Sequence, residues 1–224
     1  MKKLILFFML FSVTLFAQDA ITTKLGDFNT VKVFNGLTVE LKKSNSAKIE
    51  ISGPQANDVS VKNSNGILKI RLKFPKGFIA DKVKIVLYYD SDISVLDVNE
   101  GASIISEETV NQQHLELRAQ EGARVQLNID IKYLVVKSVS GGLISLIGES
   151  VNQTIEATTG GFYNGFDLNS KQAIVMSSSG ANVEVKASEM LDANVRFGGS
   201  IYYKGTPEIL KTKITIGGTI KDKN

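Results

Sequence analysis

Gly141-Gly142-Leu143-Ile144-Ser145 returns 19 residues later as Gly160-Gly161-Phe162-Tyr163-Asn164, then 20 on as Gly180-Ala181-Asn182-Val183-Glu184, then 18 on as Gly198-Gly199-Ser200-Ile201-Tyr202. The same small pair stands upstream at Gly101-Ala102 and Gly122-Ala123 and downstream at Gly217-Gly218, so the gaps along the run are 21, 19, 19, 20, 18 and 19 residues. A near-fixed period of about 20 residues is one supersecondary unit copied along an axis, the mark of a solenoid.

Positions counted from each first glycine give the local structure. Three residues on stand Ile104, Val125, Ile144, Tyr163, Val183, Ile201 and Ile220, an apolar column with one bulkier member. Four on stand Ile105, Gln126, Ser145, Asn164, Glu184, Tyr202 and Lys221, mostly polar. Alternation with period two is the strand pattern, with one face in and one out. A second strand precedes each glycine: Leu117, Val136, Ile155, Val175 and Ala193 alternate there with Arg118, Lys137, Glu156, Met176 and Asn194. The pattern predicts an all-β fold, a parallel β-helix with two strands per coil of about 20 residues, right-handed by the usual chirality of parallel crossovers. Glycine belongs at the corner because it takes positive φ without steric cost.

Residues 18–90 follow a different rule and read as an N-terminal antiparallel β-hairpin layer that caps the solenoid of residues 91–224, all within one continuous folded body. Val31-Lys32-Val33-Phe34 and Leu37-Thr38-Val39-Glu40-Leu41 flank Asn35-Gly36, a strong hairpin signal. Val59-Ser60-Val61-Lys62 and Ile67-Leu68-Lys69-Ile70-Arg71-Leu72 flank Asn63-Ser64-Asn65-Gly66, a second hairpin with a longer loop. Such a layer protects an otherwise open parallel edge.

Residues 1–17 read as a signal peptide: Met1-Lys2-Lys3 is basic, Leu4 to Phe16 is a run of 13 residues interrupted only by Ser12 and Thr14, and Ala17 follows. That run is too short to span a bilayer well. Export to the periplasm, outer cell surface or medium is therefore expected, with no integral membrane segment after cleavage. There are no cysteines, which removes disulfides, thiolate chemistry and Cys-based zinc sites. Removal of Lys2 and Lys3 leaves 24 Lys+Arg against 23 Asp+Glu, interspersed, so nucleic acid is not an expected partner.

Asn35-Gly36-Leu37-Thr38-Val39-Glu40-Leu41 with Ala47-Lys48-Ile49-Glu50-Ile51-Ser52-Gly53-Pro54, Ser179-Gly180-Ala181 with Val183-Glu184-Val185, and Ala187-Ser188-Glu189-Met190-Leu191-Asp192-Ala193 through Gly198-Gly199-Ser200-Ile201-Tyr202-Tyr203-Lys204-Gly205-Thr206-Pro207 resemble the head GIN domain family, bacterial proteins classed as auto-transporter adhesins. The resemblance runs over residues 26 to 217. It implies an exported β-helical protein whose biochemical role is unassigned, and it supplies no catalytic residues.

Enzymatic chemistry finds little support. Asp130 and Glu149 each lie eight residues past their glycine, and Glu108 and Asp167 seven past theirs, a spacing that stacks acids one coil apart. Such acids are most simply solvated turn positions. His114 is the only histidine and reads as a turn residue. Gly160-Gly161-Phe162-Tyr163-Asn164-Gly165-Phe166-Asp167 is a single loose echo of the calcium-binding nonapeptide. No catalytic residue, metal site or cofactor is expected. What remains is surface recognition. Leu143 and Phe162 become outward neighbours on adjacent coils, with Arg124 in the same column, and Asn164 and Tyr202 share the next outward column. Exposed aromatics beside amides and charges suit a glycan or an envelope protein, provided no turn or N-terminal strand covers them. A structural role in the envelope is the rival reading, and a carbohydrate-active β-helix enzyme built on the stacked acids is the second rival.

Overall fold

The computed structural model describes residues 20–73 and 83–224; the expected signal peptide lies outside the described residues. The chain forms β1 (Ile21–Lys24), β2 (Thr30–Val33), β3 (Thr38–Lys43), β4 (Lys48–Ser52), a 3-10 turn (Ala56–Asp58), β5 (Val59–Ser64), β6 (Ile67–Leu72), β7 (Lys84–Tyr89) and β8 (Val95–Val98). The repeats follow as β9 (Ser103–Ala119), β10 (Arg124–Val139), β11 (Leu143–Thr158), β12 (Phe162–Gly165), β13 (Leu168–Ser178), β14 (Asn182–Lys186), β15 (Met190–Arg196), β16 (Ser200–Lys204), β17 (Ile209–Thr215) and β18 (Thr219–Asp222).

Every repeat strand pairs in parallel with its equivalent one coil away. Val125 faces Ile144, which faces Tyr163, then Val183, Ile201 and Ile220. That column is buried down to Ile201. The preceding column, Leu117, Val136, Ile155, Val175 and Ala193, is also in register and buried. The period-two alternation therefore sets the core.

Between these columns the chain turns on two residues with positive φ: Glu100-Gly101, Glu121-Gly122, Ser140-Gly141, Thr159-Gly160, Ser179-Gly180, Phe197-Gly198 and Ile216-Gly217. At every corner but the last, the residue after the turn donates back to the residue before it, as Ala102 N–H does to Asn99 at 3.0 Å and Gly161 N–H to Thr158 at 3.0 Å. The corners also bond to one another. Gly101 N–H donates to the Glu121 carbonyl at 2.9 Å, and Gly160 N–H to that of Ser179 at 3.1 Å.

Two features of the N-terminal part differ from the sequence reading. Asn35-Gly36 does not close a hairpin. Both residues have positive φ, but β2 pairs in parallel with β8 and β6, and β3 in parallel with β9 and β7. Gly36 N–H donates to the Glu100 carbonyl at 2.9 Å, so this turn is a solenoid corner stacked on the next. The second hairpin is real, but β5 and β6 pair up to Ser64 and Ile67, which leaves only Asn65-Gly66 as its loop. The antiparallel strands lie outermost: β5 on β6, β4 on β7 and β1 on β4.

The two expected strands per coil are separate from β12 onward. In β9, β10 and β11 they run together into single strands of 17, 16 and 16 residues. Gly148, at φ 111°, lies in the continuous stretch of β11, and a Cβ there would meet the Ile129 carbonyl oxygen at 2.1 Å. Only glycine lets the coils stay close enough to bond around that bend.

Candidate binding face

The outward side of the strands that follow each corner gathers all five residues expected to bind. Arg124, Leu143 and Phe162 stand in one register column, continued by Asn182 and Ser200. Two residues along each strand, Gln126, Ser145, Asn164, Glu184 and Tyr202 form the neighbouring column. In β12 the alternation drives Tyr163 and Gly165 inward, which turns Phe162 and Asn164 out. Neither a turn nor an N-terminal strand covers the aromatic: Phe162 is 44% exposed, above a partly buried Leu143. Asn164 Nδ2 donates to Ser145 Oγ at 3.2 Å. Tyr202, half-buried, has the Lys223 ammonium 4.9 Å from its ring centre.

A groove of about 520 Å³ opens beside this second column. Gln126, Ser145, Asn164 and Glu184 line it, together with Ile147, Phe166, Asp167, Lys204 and Glu107. Of the five expected residues, only Asn164 lines the groove; the other four lie outside it on the same face. Ile147 is 50% exposed in the groove. Phe166 carries the Lys204 ammonium 4.6 Å from its ring centre.

Glu107, Phe166 and Asp167, which the repeat columns missed, sit where the period departs from 19, whereas Ile147 and Lys204 continue the outward alternation six residues past their glycines in coils of 19. Ile105 faces Gln126 and Thr109 faces Asn128, so three residues, Ser106 to Glu108, oppose the single Leu127. That bulge accounts for the gap of 21. Asn164 faces Ser145 and Leu168 faces Gly148, so Gly165, Phe166 and Asp167 oppose Leu146 and Ile147. That bend accounts for the gap of 20. Bulges re-aim side chains, and the uneven gaps were the sequence signal for these walls.

The remaining polar features have structural explanations. Asp130 and Glu149 do stack in register, with Asn111 Nδ2 donating to Asp130 at 2.8 Å. Glu108 and Asp167 do not join them; Glu108 sits in the bulge and accepts from the Lys43 backbone N–H at 3.0 Å. Among the described residues no group of three His, Asp or Glu is placed to hold a metal ion. His114 is not a turn residue, because β9 runs unbroken through it; its ring stacks on Tyr133 of the next coil, centres 4.8 Å apart. No described helix is long and apolar enough to cross a membrane.

Comparison with known proteins places this geometry. The family model described as "Putative auto-transporter adhesin, head GIN domain" matches residues 27–207. A solved structure described as a "putative adhesin" from Bacteroides fragilis superposes with a TM-score of 0.84 at 20% identity, covering 92% of this chain and 96% of that one. A second "putative adhesin", from Parabacteroides distasonis, gives 0.74 at 19% identity, with 92% and 96% covered. A "putative lipid binding protein" from the same species gives 0.69 at 20% identity, with the same coverage. No curated relative matches the chain. At these identities the structures speak for the fold alone, while the family match spans most of the sequence. The chain belongs to the head GIN domain family of auto-transporter adhesins, as an exported, adhesin-like domain.

Proposed function

We propose that this chain recognises a glycan of the cell envelope or its surroundings through the outward face that carries Arg124, Leu143, Phe162, Asn164 and Tyr202. The observation that carries the reading is the Leu143–Phe162 pair: a stacked apolar step, 44% exposed at Phe162, with the amides of Asn164 and Asn182 beside it. An aromatic side chain with hydrogen-bonding neighbours meets a sugar ring through its C–H face and its hydroxyls together. A protein of the envelope, engaged through the same face, is the rival occupant.

The test is binding of residues 18–224 to a glycan array, alongside capture from envelope extracts. Phe162→Ala and Tyr202→Ala are expected to lose array binding while keeping the β-sheet circular dichroism signal. A silent array with one specific envelope protein captured favours the rival. Binding unchanged in both variants removes this face from consideration.

A further inference from the structure

We infer that the groove beside this face holds a linear, uncharged polysaccharide that runs across the coils along the solenoid axis, with about one sugar ring per coil. The inference rests on the glycan-recognition reading and specifies its ligand. Gln126, Ser145, Asn164 and Glu184 stand in one register column, each on the next coil. Stacked strands repeat at about 4.8 Å, close to the length of one pyranose in an extended chain. The column therefore offers a hydrogen-bonding group at each step: two amides, a hydroxyl and a carboxylate. Amides and hydroxyls both donate and accept, as sugar hydroxyls do.

The apolar part of the groove complements the other side of such a chain. Ile147 is 50% exposed beside Phe166, and together they offer a surface for ring C–H groups. The Ser106–Glu108 bulge and the Gly165–Asp167 bend wall the groove. Its volume of about 520 Å³ lies within the range of about 300–1,000 Å³ usual for ligand clefts.

Charge selects the class of chain. Among the described residues that line the groove, Glu107, Asp167 and Glu184 face a single cation, Lys204, which is held over the Phe166 ring. A polyanion of uronates or sulfated sugars would lay like charges against these carboxylates, and such juxtaposition discriminates against a ligand even where shape fits. An uncharged chain meets no such penalty.

The experiment compares the intact chain with Asn164→Ala, Gln126→Ala, Glu184→Lys and Phe162→Ala on an array of linear neutral and uronate-rich glycans. Hits are then titrated by calorimetry with length series of the same glycan. Uncharged chains are expected to bind, with affinity rising with length to about four rings, one for each member of the column, and then levelling. Asn164→Ala and Gln126→Ala are each expected to weaken binding about five- to tenfold. Glu184→Lys is expected to raise binding of uronate chains. All four side chains point outward, and circular dichroism verifies the fold of each variant. A preference for uronate chains in the native protein overturns the inference. So does neutral-glycan binding that Phe162→Ala abolishes and the three groove variants leave unchanged, although glycan recognition itself then stands. An array silent to every glycan overturns both.

Discussion

The Tyr163 hydroxyl donates to Gln153 Oε1 at 2.8 Å inside the solenoid, across the two strand ladders of the coil. Gln153 in turn donates to Ser170 Oγ at 2.7 Å, and Ser170 to the Lys186 carbonyl at 2.6 Å. Tyr163 is fully buried, and Gly165 makes room for its ring: a Cβ there would lie 2.5 Å from Cε1. Tyr163→Phe keeps the packing and strands the Gln153 oxygen. It should cost about 1–3 kcal/mol, the penalty of a buried acceptor left unpaired, read as a lower urea midpoint with an unchanged slope. Burial also pushes the phenol far above its ordinary range. Its folded-state pKa is raised, so its contribution is intact below the unfolded value and declines as pH rises above it. The native chain should therefore lose more stability above pH 10.0 than Tyr163→Phe does. Equal losses would remove Tyr163 as the cause.

Adjacent glycines at one corner do different work, and alanine separates them. Gly160 has φ +68° with open space where a Cβ would go, so Gly160→Ala meets only the left-handed backbone cost of about 1–2 kcal/mol. Gly161 lies under the preceding coil, where a Cβ would come 2.2 Å from the Ser138 carbonyl oxygen and 2.9 Å from Ser138 Oγ. That hydroxyl is itself committed, donating to the Gly142 carbonyl at 2.6 Å and accepting from Phe162 N–H at 3.1 Å. Gly161→Ala must push two coils apart at a fully bonded point, and should cost at least about 3 kcal/mol, the upper end of ordinary overpacking. Chemical denaturation of both variants checks the order; a costlier change at Gly160 would contradict it.

The glycine rhythm made the stacked coils legible, because a period of two within a period near 20 has few other solutions. The two Asn-Gly pairs mark where local reading stops. Asn35-Gly36 and Asn65-Gly66 have nearly the same backbone, φ 58° and 69° against 52° and 76°, yet one is a corner and the other a hairpin loop. The turn chemistry was readable at both. What differs is the partner: β2 and β3 find parallel strands on neighbouring coils, whereas β5 and β6 find each other. The outward placement of Phe162, Leu143, Arg124, Asn164 and Tyr202 followed from strand alternation alone. Ile147 and Lys204 follow the same alternation two residues further along β11 and β16, beyond the two columns read from the sequence; Phe166 does not, because it lies in the inserted bend of a long coil.

Glu116 gives the outer surface a pH dependence of known sign. Its carboxylate accepts from Arg118 Nε at 2.8 Å and lies 2.9 Å from Lys137 Nζ on the next coil. The Arg118 hydrogen bond first, and then Lys137, hold it below the ordinary 4.5 against partial desolvation. A carboxyl depressed in the folded state stabilises above its unfolded pKa, and that contribution is lost as pH falls through the folded one. Glu116→Gln should therefore be less stable at neutral pH by roughly 0.5 kcal/mol, since solvent screens such pairs. The gap between the two proteins should close below pH 4.5. Urea midpoints measured across that range decide it, and curves that stay parallel would assign the pH dependence elsewhere.

The coils differ in how well they are held, and amide exchange should show it. β10 pairs along nearly its full length with β9 on one side and β11 on the other. Its inward residues Val125, Leu127, Ile129, Ile131, Leu134 and Val136 are all buried. Among the described residues β17 pairs only with β15, and β18 only with β16. The inward positions of β17 are open, with Leu210 46% and Ile214 51% exposed. Opening β17 and β18 breaks one ladder each and uncovers little apolar surface that is not already wet, so it needs far less free energy than opening β10. Amides of residues 209–222 should exchange fastest within the solenoid, those of β10 and β11 should approach the global unfolding limit, and β13 to β16 should fall between. Protection in β17 equal to that in β10 would mean that in solution its open face is covered.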